Sequence, residues 1–405
     1  MNTGDTAFVL VSAALVMLMT PGLALFYAGM VRSKNVLGTI MQSFILIGLI
    51  SLEWILWGYS MAFGPDKLGM IGGLEWFGLR GVGLEPHTVY ATTIPHQVFM
   101  IYQCMFAVIT PALITGAFAE RMRFGPFLVF SLLWATFVYN PLAHWIWGGG
   151  WLSSLGALDF AGGVAVHLSS GIAALASALI LGKRRGYRTE ELKPHNLPMT
   201  LLGAGILWFG WFGFNAGSAL AAGALAGSAF VATHMAATTG ALAWIAIEWR
   251  MSGKATTLGA ASGAIAGLAT VTPAAGFVGP ISASIIGLVA GGGCYLGIMT
   301  KNKFGYDDSL DVVGIHGVGG VIGLLAVGVL ASTAINPDGA NGLLFGNPGQ
   351  LGIQCIAVLA TIVYTFVMTF ILLKIVDKLL GLRVPEHEEI SGLDLSQHDE
   401  TAYTS

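Results

Sequence analysis

The chain has 405 residues, of which 55% are hydrophobic and only 10% are charged. Soluble domains carry about 25% charged residues, so this composition excludes an ordinary soluble fold and indicates a protein whose solvent is lipid. The net charge is −3 and no basic stripe is present, which argues against a nucleic-acid partner. Apolar runs of about 20 residues, in place of short alternating strands, favour membrane-spanning helices over an outer-membrane barrel.

Eleven apolar segments follow one another along the chain. We therefore predict an all-α polytopic membrane protein with eleven transmembrane helices in the lipid bilayer. No basic residue precedes the first apolar run, so we interpret that run as a retained helix and not as a cleaved signal peptide. The predicted segments lie near 7–29, 39–63, 94–118, 124–143, 163–182, 198–216, 225–249, 256–273, 278–299, 312–332 and 350–376.

The loops between these segments differ in charge. If the N-terminus is outside, all but Lys67 and Arg80 of the 18 lysines and arginines fall in inside loops or near the C-terminus. Cytoplasmic loops carry the excess of basic residues, so this distribution predicts an outer N-terminus and a cytoplasmic C-terminus. The longest outside loop is then 64–93. The polar stretch 377–405 is predicted to be a cytoplasmic docking or regulatory tail after a membrane domain of residues 1–376.

Two similar motifs occur in the fifth and tenth segments. Each places a histidine shortly after an aspartate at the start of a glycine-rich helix: Asp159 precedes His167, and Asp311 precedes His316. Because five is an odd number of helices, two five-helix units have opposite topology. Inverted repeats of this kind are typical of transporters, with the solute path near the midplane. We predict a five-plus-five inverted repeat with an extra C-terminal helix.

The two histidines lie only about one turn into their helices, one from each side. They meet near the midplane only if both helices begin below the membrane surface. We expect the preceding stretches, 143–162 and 301–311, to be irregular and to dip inward, with vestibules on both faces, because irregular backbone is tolerated at depth where it lines a cavity.

Two functions are open for His167 and His316. They are either unrelated core histidines bonded to backbone, or a pair in which one ring nitrogen donates and the other accepts a hydrogen bond. Such a pair offers hydrogen bonds to a polar solute and relays a proton. Two histidines alone are too few for a closed zinc site, so we predict no metal and no cofactor. The three cysteines lie in apolar runs, and we expect them to be reduced and buried (Cys104, Cys294 and Cys355).

Aromatic residues form the next candidate group. Tyr102 and Phe106 are four residues apart on the third helix and share a face, Trp147 stands at an outside helix end, and residues 208–218 hold rings between glycines. They are either ordinary packing and interfacial residues or a cation site, since an aromatic face attracts a cation by roughly 0.5–2 kcal/mol. The hydroxyl of Ser218 adds a hydrogen-bonding group.

Four carboxylates need an explanation inside or beside apolar segments. Asp159 and Asp311 precede helices, so we expect them to cap those helices and to add an electrostatic contribution. Glu53 lies within a segment and must be partnered or protonated, although the sequence identifies no partner. Glu120 is expected to pair with basic residues at the inner interface.

Taken together, these motifs resemble the ammonium transporter family (Amt/Mep/Rh) over about residues 5–403. The most specific parts are Asp159-Phe-Ala-Gly-Gly with His167, Gly210-Trp-Phe-Gly-Phe214-Asn-Ala-Gly-Ser218, and Asp311 with His316-Gly-Val-Gly-Gly. The tail from Gly392 to Tyr403 resembles the bacterial members. The resemblance implies an inner-membrane homotrimer with one pore in each subunit.

The same resemblance implies a role for each site residue. The outer ammonium site would consist of Trp147, Tyr102, Phe106 and Ser218 with support from Asp159, the gate of the rings of Phe106 and Phe214, and the pore lining of His167, His316 and Trp211. Position 102 is often phenylalanine in relatives. The tail implies inhibition by a cytoplasmic PII-type signalling protein, and Pro385 departs from the commonest bacterial pattern.

Solvation then dictates the expected mechanism. Moving an intact ion from water into a low-dielectric tube costs on the order of tens of kcal/mol in an idealised estimate. Ammonium, or its analogue methylammonium, is therefore expected to lose its proton at the gate. Ammonia would pass the histidines, with net charge uptake. The alternatives are an ammonium sensor, for which the tail is too short to supply a signalling domain, a gas channel of the Rh branch, and a membrane-embedded metal hydrolase, which requires three or more clustered ligands.

Overall fold

The computed structural model describes residues 1–403, apart from the side chain of Asn302. Within this part, ten helices are long and apolar enough to cross a membrane, and a further apolar helix, Thr257–Val271, is shorter. All overlap the predicted segments, so the helical membrane fold is confirmed. They are α1 (Thr3–Met30), α2 (Ser33–Phe63), α3 (His96–Phe118), α4 (Phe124–Leu155), α5 (Gly163–Leu181), α6 (Leu197–Gly217), α7 (Ala224–Ser252), α8 (Thr257–Val271), α9 (Pro280–Phe304), α10 (Val313–Leu330) and α11 (Pro348–Leu380).

The loop between α2 and α3 holds two small antiparallel hairpins. One pairs β1 (Asp66–Lys67) with β2 (Ile71–Gly72), and the other pairs β3 (Pro86–His87) with β4 (Ala91–Pro95). Single helical turns occur at Phe77–Leu79 and Leu343–Phe345.

The stretch 143–162 is more regular than the sequence predicts. Helix α4 runs to Ile146, breaks at the glycines 148–150, and resumes for one turn at Trp151–Leu155. The bulky apolar residues continue the helix, and Gly149 has a φ of 82° that allows the break.

The two ends of the bundle differ in charge. The backbone N–H of Asn2 donates to the carbonyl of Thr93, so the N-terminus lies beside the hairpin loop. The opposite end, which we name the basic end, is formed by loops 119–123, 182–196 and 305–312 together with the tail 381–403. Arg121 donates to the carbonyls of Gly182 and Asp307, and the backbone N–H of Arg123 donates to that of Leu382, so these predicted inside segments lie together.

The tail folds onto the basic end as two short helices, α12 (Glu386–Ser391) and α13 (Leu393–His398). Asn35 accepts a hydrogen bond from the backbone N–H of Leu393, and Asp394 accepts one from Gly38. Pro385 lies immediately before α12, where its missing N–H removes no helical hydrogen bond. Helix α11 extends to Leu380, beyond the predicted start of the tail at 377, and Thr404 and Ser405 lie outside the described residues.

Glu120 connects three parts of the basic end. Its carboxylate pairs with the guanidinium groups of Arg32 at 2.9 Å and Arg184 at 3.5 Å, as the sequence analysis expected. Burial by itself raises the pKa of Glu120, but these two guanidinium groups outweigh it and hold that pKa below its ordinary value. Arg184 also pairs with Asp307 at 2.9 Å, so the network ties the loop after α3 to the loop before α10.

The predicted equivalence of Asp159 and Asp311 is wrong, and the partner of Asp159 in the repeat is Asp308. Asp159 stands eight residues before His167, and Asp308 eight residues before His316. Each aspartate accepts from the N–H five residues on, at 2.7 Å for Val164 and 2.8 Å for Val313. Asp311 instead pairs with Lys301. The sequence motif was misleading because Asp308 and Asp311 both precede α10.

The two capping aspartates differ in how many hydrogen bonds they accept. The oxygens of Asp159 accept from three backbone N–H groups, whereas one such bond is formed by Asp308. A buried N–H without an acceptor costs about 1–3 kcal/mol. We therefore expect Asp159→Ala to lower the unfolding temperature of the purified protein more than Asp308→Ala. Equal losses in thermal unfolding of the two variants would contradict this assignment.

The structure also answers two remaining questions about buried groups. Glu53 has partners on α4, because its Oε1 accepts from Asn140 at 2.8 Å and from Thr136 at 3.1 Å. All three cysteines are free thiols, as expected. Cys355 is exposed on the outer face of α11, however, so its predicted burial is wrong: an apolar helix position faces lipid as readily as the core.

Candidate functional site

The two histidines of the repeat meet in the centre of the bundle. His167 and His316 each lie in a π-helical turn at the start of α5 and α10. Their Nδ1 atoms are 3.2 Å apart, and both side chains are almost fully buried. One nitrogen must donate while the other accepts, so the pair shares one proton. Among the predicted alternatives, two unrelated core histidines are excluded.

A narrow apolar cavity surrounds the histidine pair. Its volume is about 20 Å³, and it lies between α1, α3, α5, α6, α8 and α10. The Nε2 atom of His167 is buried and has no hydrogen-bond partner within residues 1–403. The remaining lining is almost entirely apolar: Met19, Leu23, Phe26, Tyr27, Ile109, Leu113, Val166, Leu207, Trp211, Phe214, Ile265, Leu310, Val312 and Ile315.

Trp211 and Phe214 form one wall of this histidine cavity. The ring of His167 is stacked with Trp211 at 5.4 Å and with Phe214 at 6.0 Å between centroids. The indole N–H of Trp211 donates to the hydroxyl of Thr272 at 2.9 Å, so its polar atom is satisfied away from the histidine. Trp211 therefore lines the histidine cavity beside Phe214.

The rings of Phe106 and Phe214 separate the histidine cavity from a second cavity. Their centroids are 4.2 Å apart with a tilt of 40°. Phe214 lines the histidine cavity, and Phe106 lines the other. Both rings are about 1% exposed, so a solute passes between the cavities only when one of them moves.

The second cavity, which we name the outer cavity, lies toward the hairpin loop and has a volume of about 270 Å³. Three residues of the predicted outer site, Trp147, Phe106 and Ser218, line it. Its other lining residues are Phe63, Val89, Tyr90, Phe99, Gln103, Ile146, Phe160 and Leu220.

Two predicted residues of the outer site lie behind its wall. Tyr102 is fully buried and its hydroxyl contacts the carbonyl of Phe214 at 2.9 Å and the hydroxyl of Ser218 at 3.2 Å. Asp159 is also buried, and its backbone carbonyl accepts the indole N–H of Trp147 at 2.9 Å. Both residues therefore position side chains that line the cavity.

Asp159 is held in place by the start of α5. Burial raises its pKa, and the backbone N–H groups of Gly163, Val164 and Gly162 act in the opposite direction. Because three N–H groups surround the carboxylate, Asp159 is a helix cap that fixes both α5 and the ring of Trp147.

Sequence reasoning missed Gln103 and Tyr90. Gln103 follows Tyr102 directly, and only the structure shows that its side chain lies on the cavity side of α3. Tyr90 comes from the predicted outside loop 64–93, and its hydroxyl donates to the carbonyl of Gly148 at 3.0 Å, beside Trp147. In the sequence, only its polar amide side chain between Tyr102 and Phe106 could have pointed to Gln103.

The described residues suit a small polar solute. In residues 1–403, no group of three or more histidine, cysteine, aspartate or glutamate side chains is arranged to hold a metal ion. From the outer cavity inward, a solute meets an aromatic cavity, a pair of phenyl rings, and an apolar cavity with two imidazoles. Such an arrangement attracts a cation at the first position and disfavours a charge at the last.

Comparison with known proteins points in the same direction. The model of the Ammonium Transporter Family matches residues 7–403. The ammonium transporter of Bacillus subtilis (strain 168) is 54% identical over 404 residues, covering 100% of this chain and 99% of that protein. The crystal structure of Saccharomyces cerevisiae Mep2 superposes with a TM-score of 0.90 and 39% identity, covering 96% of this chain and 88% of that one. A sensor Amt protein superposes with a TM-score of 0.89 and 29% identity, covering 98% of each chain.

Proposed function

The chain belongs to the ammonium transporter family, and from this premise we propose how it handles its substrate. Ammonium enters the outer cavity, loses its proton at the rings of Phe106 and Phe214, and crosses the histidine cavity as ammonia. The proton crosses as well, relayed by the hydrogen-bonded imidazoles of His167 and His316, so that uptake carries net charge.

One observation carries this proposal. The two imidazoles share a hydrogen bond of 3.2 Å inside an apolar cavity that Phe214 closes toward the outer cavity. Moving an ion from water into this cavity costs on the order of tens of kcal/mol in an idealised estimate. Alkylammonium groups have a pKa near about 10, which burial lowers by about 3–5 units. Loss of the proton is therefore the less costly way to pass the rings.

The outer cavity supports recruitment of the cation. The faces of Trp147 and Phe106 attract positive charge. The hydroxyl of Ser218 donates to the carbonyl of Phe214 at 2.9 Å, which leaves its lone pairs for an ammonium N–H. A ligand that only donates hydrogen bonds meets an acceptor here.

The distribution of charge and the position of the tail support a proposal for the orientation and the regulation of the protein. With nearly all basic residues at the basic end, the chain is oriented with that end in the cytoplasm of a bacterial inner membrane. The tail packed on that end is then the docking segment for a PII-type signalling protein. The active form is a homotrimer with one pore in each subunit, and the protein is not an enzyme.

The deciding experiment is current recording with the purified protein in liposomes. We expect ammonium and methylammonium to evoke an inward current that saturates with concentration, and potassium to evoke none. Ammonia accumulation without current would replace charged uptake with neutral flux. Binding of ammonium without current or flux would favour a sensor, the function of the structurally similar sensor Amt protein.

Removal of the tail tests regulation separately. Deletion of residues 385–405 removes the contacts of Leu393 and Asp394 with Asn35 and Gly38 at the start of α2. We expect the deleted protein to keep its ammonium current in liposomes and to lose inhibition by an added PII-type protein. Inhibition that persists would place the docking surface elsewhere on the basic end.

A further inference from the structure

The outer cavity is lined by four polar side chains, and in three of them the hydrogen-bond donor already has an acceptor in the protein. The indole N–H of Trp147 donates to Asp159, the hydroxyl of Tyr90 to Gly148, and the hydroxyl of Ser218 to Phe214. These bonds hold the three side chains in the cavity wall. Ammonium has four N–H donors and no acceptor, so its binding depends on which oxygen lone pairs face the cavity.

Gln103 is the fourth polar side chain. It is half-buried on α3 and lines the outer cavity, one residue after Tyr102 and three before Phe106. Within the described residues its amide forms no hydrogen bond. Its carbonyl oxygen therefore keeps both lone pairs. Most amide side chains at helix surfaces face water, whereas this one faces a cavity whose other walls are mainly aromatic.

A second amide on the same helix gives a useful contrast. Gln97, in the first turn of α3, donates to the carbonyl of Val82 at 3.1 Å and does not line the outer cavity. Its bond joins the first turn of α3 to Val82, which does not line the outer cavity either. Gln103 has no such structural bond to explain it.

We infer that Gln103 binds ammonium in the outer cavity through its side-chain carbonyl oxygen and helps to distinguish ammonium from its methylated analogue. This inference rests on the proposed function. Ser218 and Gln103 supply two acceptors, and Trp147 and Phe106 supply two ring faces, which together serve the four N–H groups of ammonium. Methylammonium has three N–H groups, so its methyl group must face one of these positions.

The prediction for Gln103→Leu follows from this count. Leucine keeps a similar size but has no acceptor, so one N–H of ammonium loses its partner. We expect the ammonium concentration for half-maximal current to rise about tenfold, as for the loss of a hydrogen bond to a charged group. For methylammonium we expect less than about a threefold rise, because its methyl group turns toward the leucine. Gln103→Glu, which keeps the acceptor, should bind ammonium at least as well as wild type.

Gln97→Leu is the matched control, with unchanged half-maximal concentrations for both cations. The inference is overturned if Gln103→Leu leaves the ammonium value unchanged, if both cations lose affinity equally, or if Gln103→Glu behaves like Gln103→Leu. Each of these results is compatible with a wild-type transporter. An absence of both ammonium current and ammonia accumulation in wild type would instead reject the proposed function itself.

Discussion

Replacing both His167 and His316 by leucine is expected to abolish most of the ammonium-evoked current while the protein still assembles. The two imidazoles supply the polar atoms of an otherwise apolar cavity of about 20 Å³. Ammonia in the double variant loses two hydrogen bonds of about 0.5–1.5 kcal/mol each, which corresponds to roughly 5- to 150-fold slower passage. Proton relay is lost as well. The measurement is current in liposomes at saturating ammonium.

A third membrane histidine provides the control for this experiment. His234 on α7 is exposed, contacts the ring of Trp208 at 5.6 Å, and lines neither cavity. We expect His234→Leu to leave the current unchanged. A double variant of His167 and His316 that conducts methylammonium at the wild-type rate would remove the histidines from the mechanism.

The sequence predicts the bundle well because lipid imposes simple rules on it. Spanning helices must be long, apolar and internally hydrogen-bonded, and the basic residues mark one side. Those rules were sufficient for the positions of all the predicted segments. The meeting of His167 with His316 was one of the two predicted alternatives, because equivalent positions in an inverted repeat are related by its axis and meet when both lie close to it.

The sequence did not predict features that depend on which face of a helix packs against the rest of the bundle. Asp308 and Asp311 both precede α10, and only the backbone geometry decides that Asp308 caps it while Asp311 pairs with Lys301. Tyr90 reaches Gly148 across 58 positions of sequence through the fold of the hairpin loop. Gln103 and Tyr102 are neighbours in sequence, yet one lines the cavity and the other lies behind it.

The distance between the histidines is set by glycines at the contact of α5 and α10, and this gives a second test with a large expected effect. A methyl group built on Gly171 would lie 2.1 Å from the nitrogen of Gly317 and 2.9 Å from the carbonyl carbon of His316. Contacts this short with backbone cannot be relieved by a rotamer change, so the helices must move apart. Small residues permit such close approach of membrane helices.

We therefore expect Gly171→Ala to reduce the ammonium current strongly and to destabilise the protein by about 1–3 kcal/mol, as overpacking does. Current recording and thermal unfolding measure the two effects. Gly205, within α6, is the matched control because a methyl group there meets nothing within 4 Å. Alanine is the better helix former by about 0.5–1 kcal/mol, so Gly205→Ala should be neutral or slightly stabilising. If Gly171→Ala conducts and unfolds like Gly205→Ala, the close contact of α5 with α10 does not hold the histidines together.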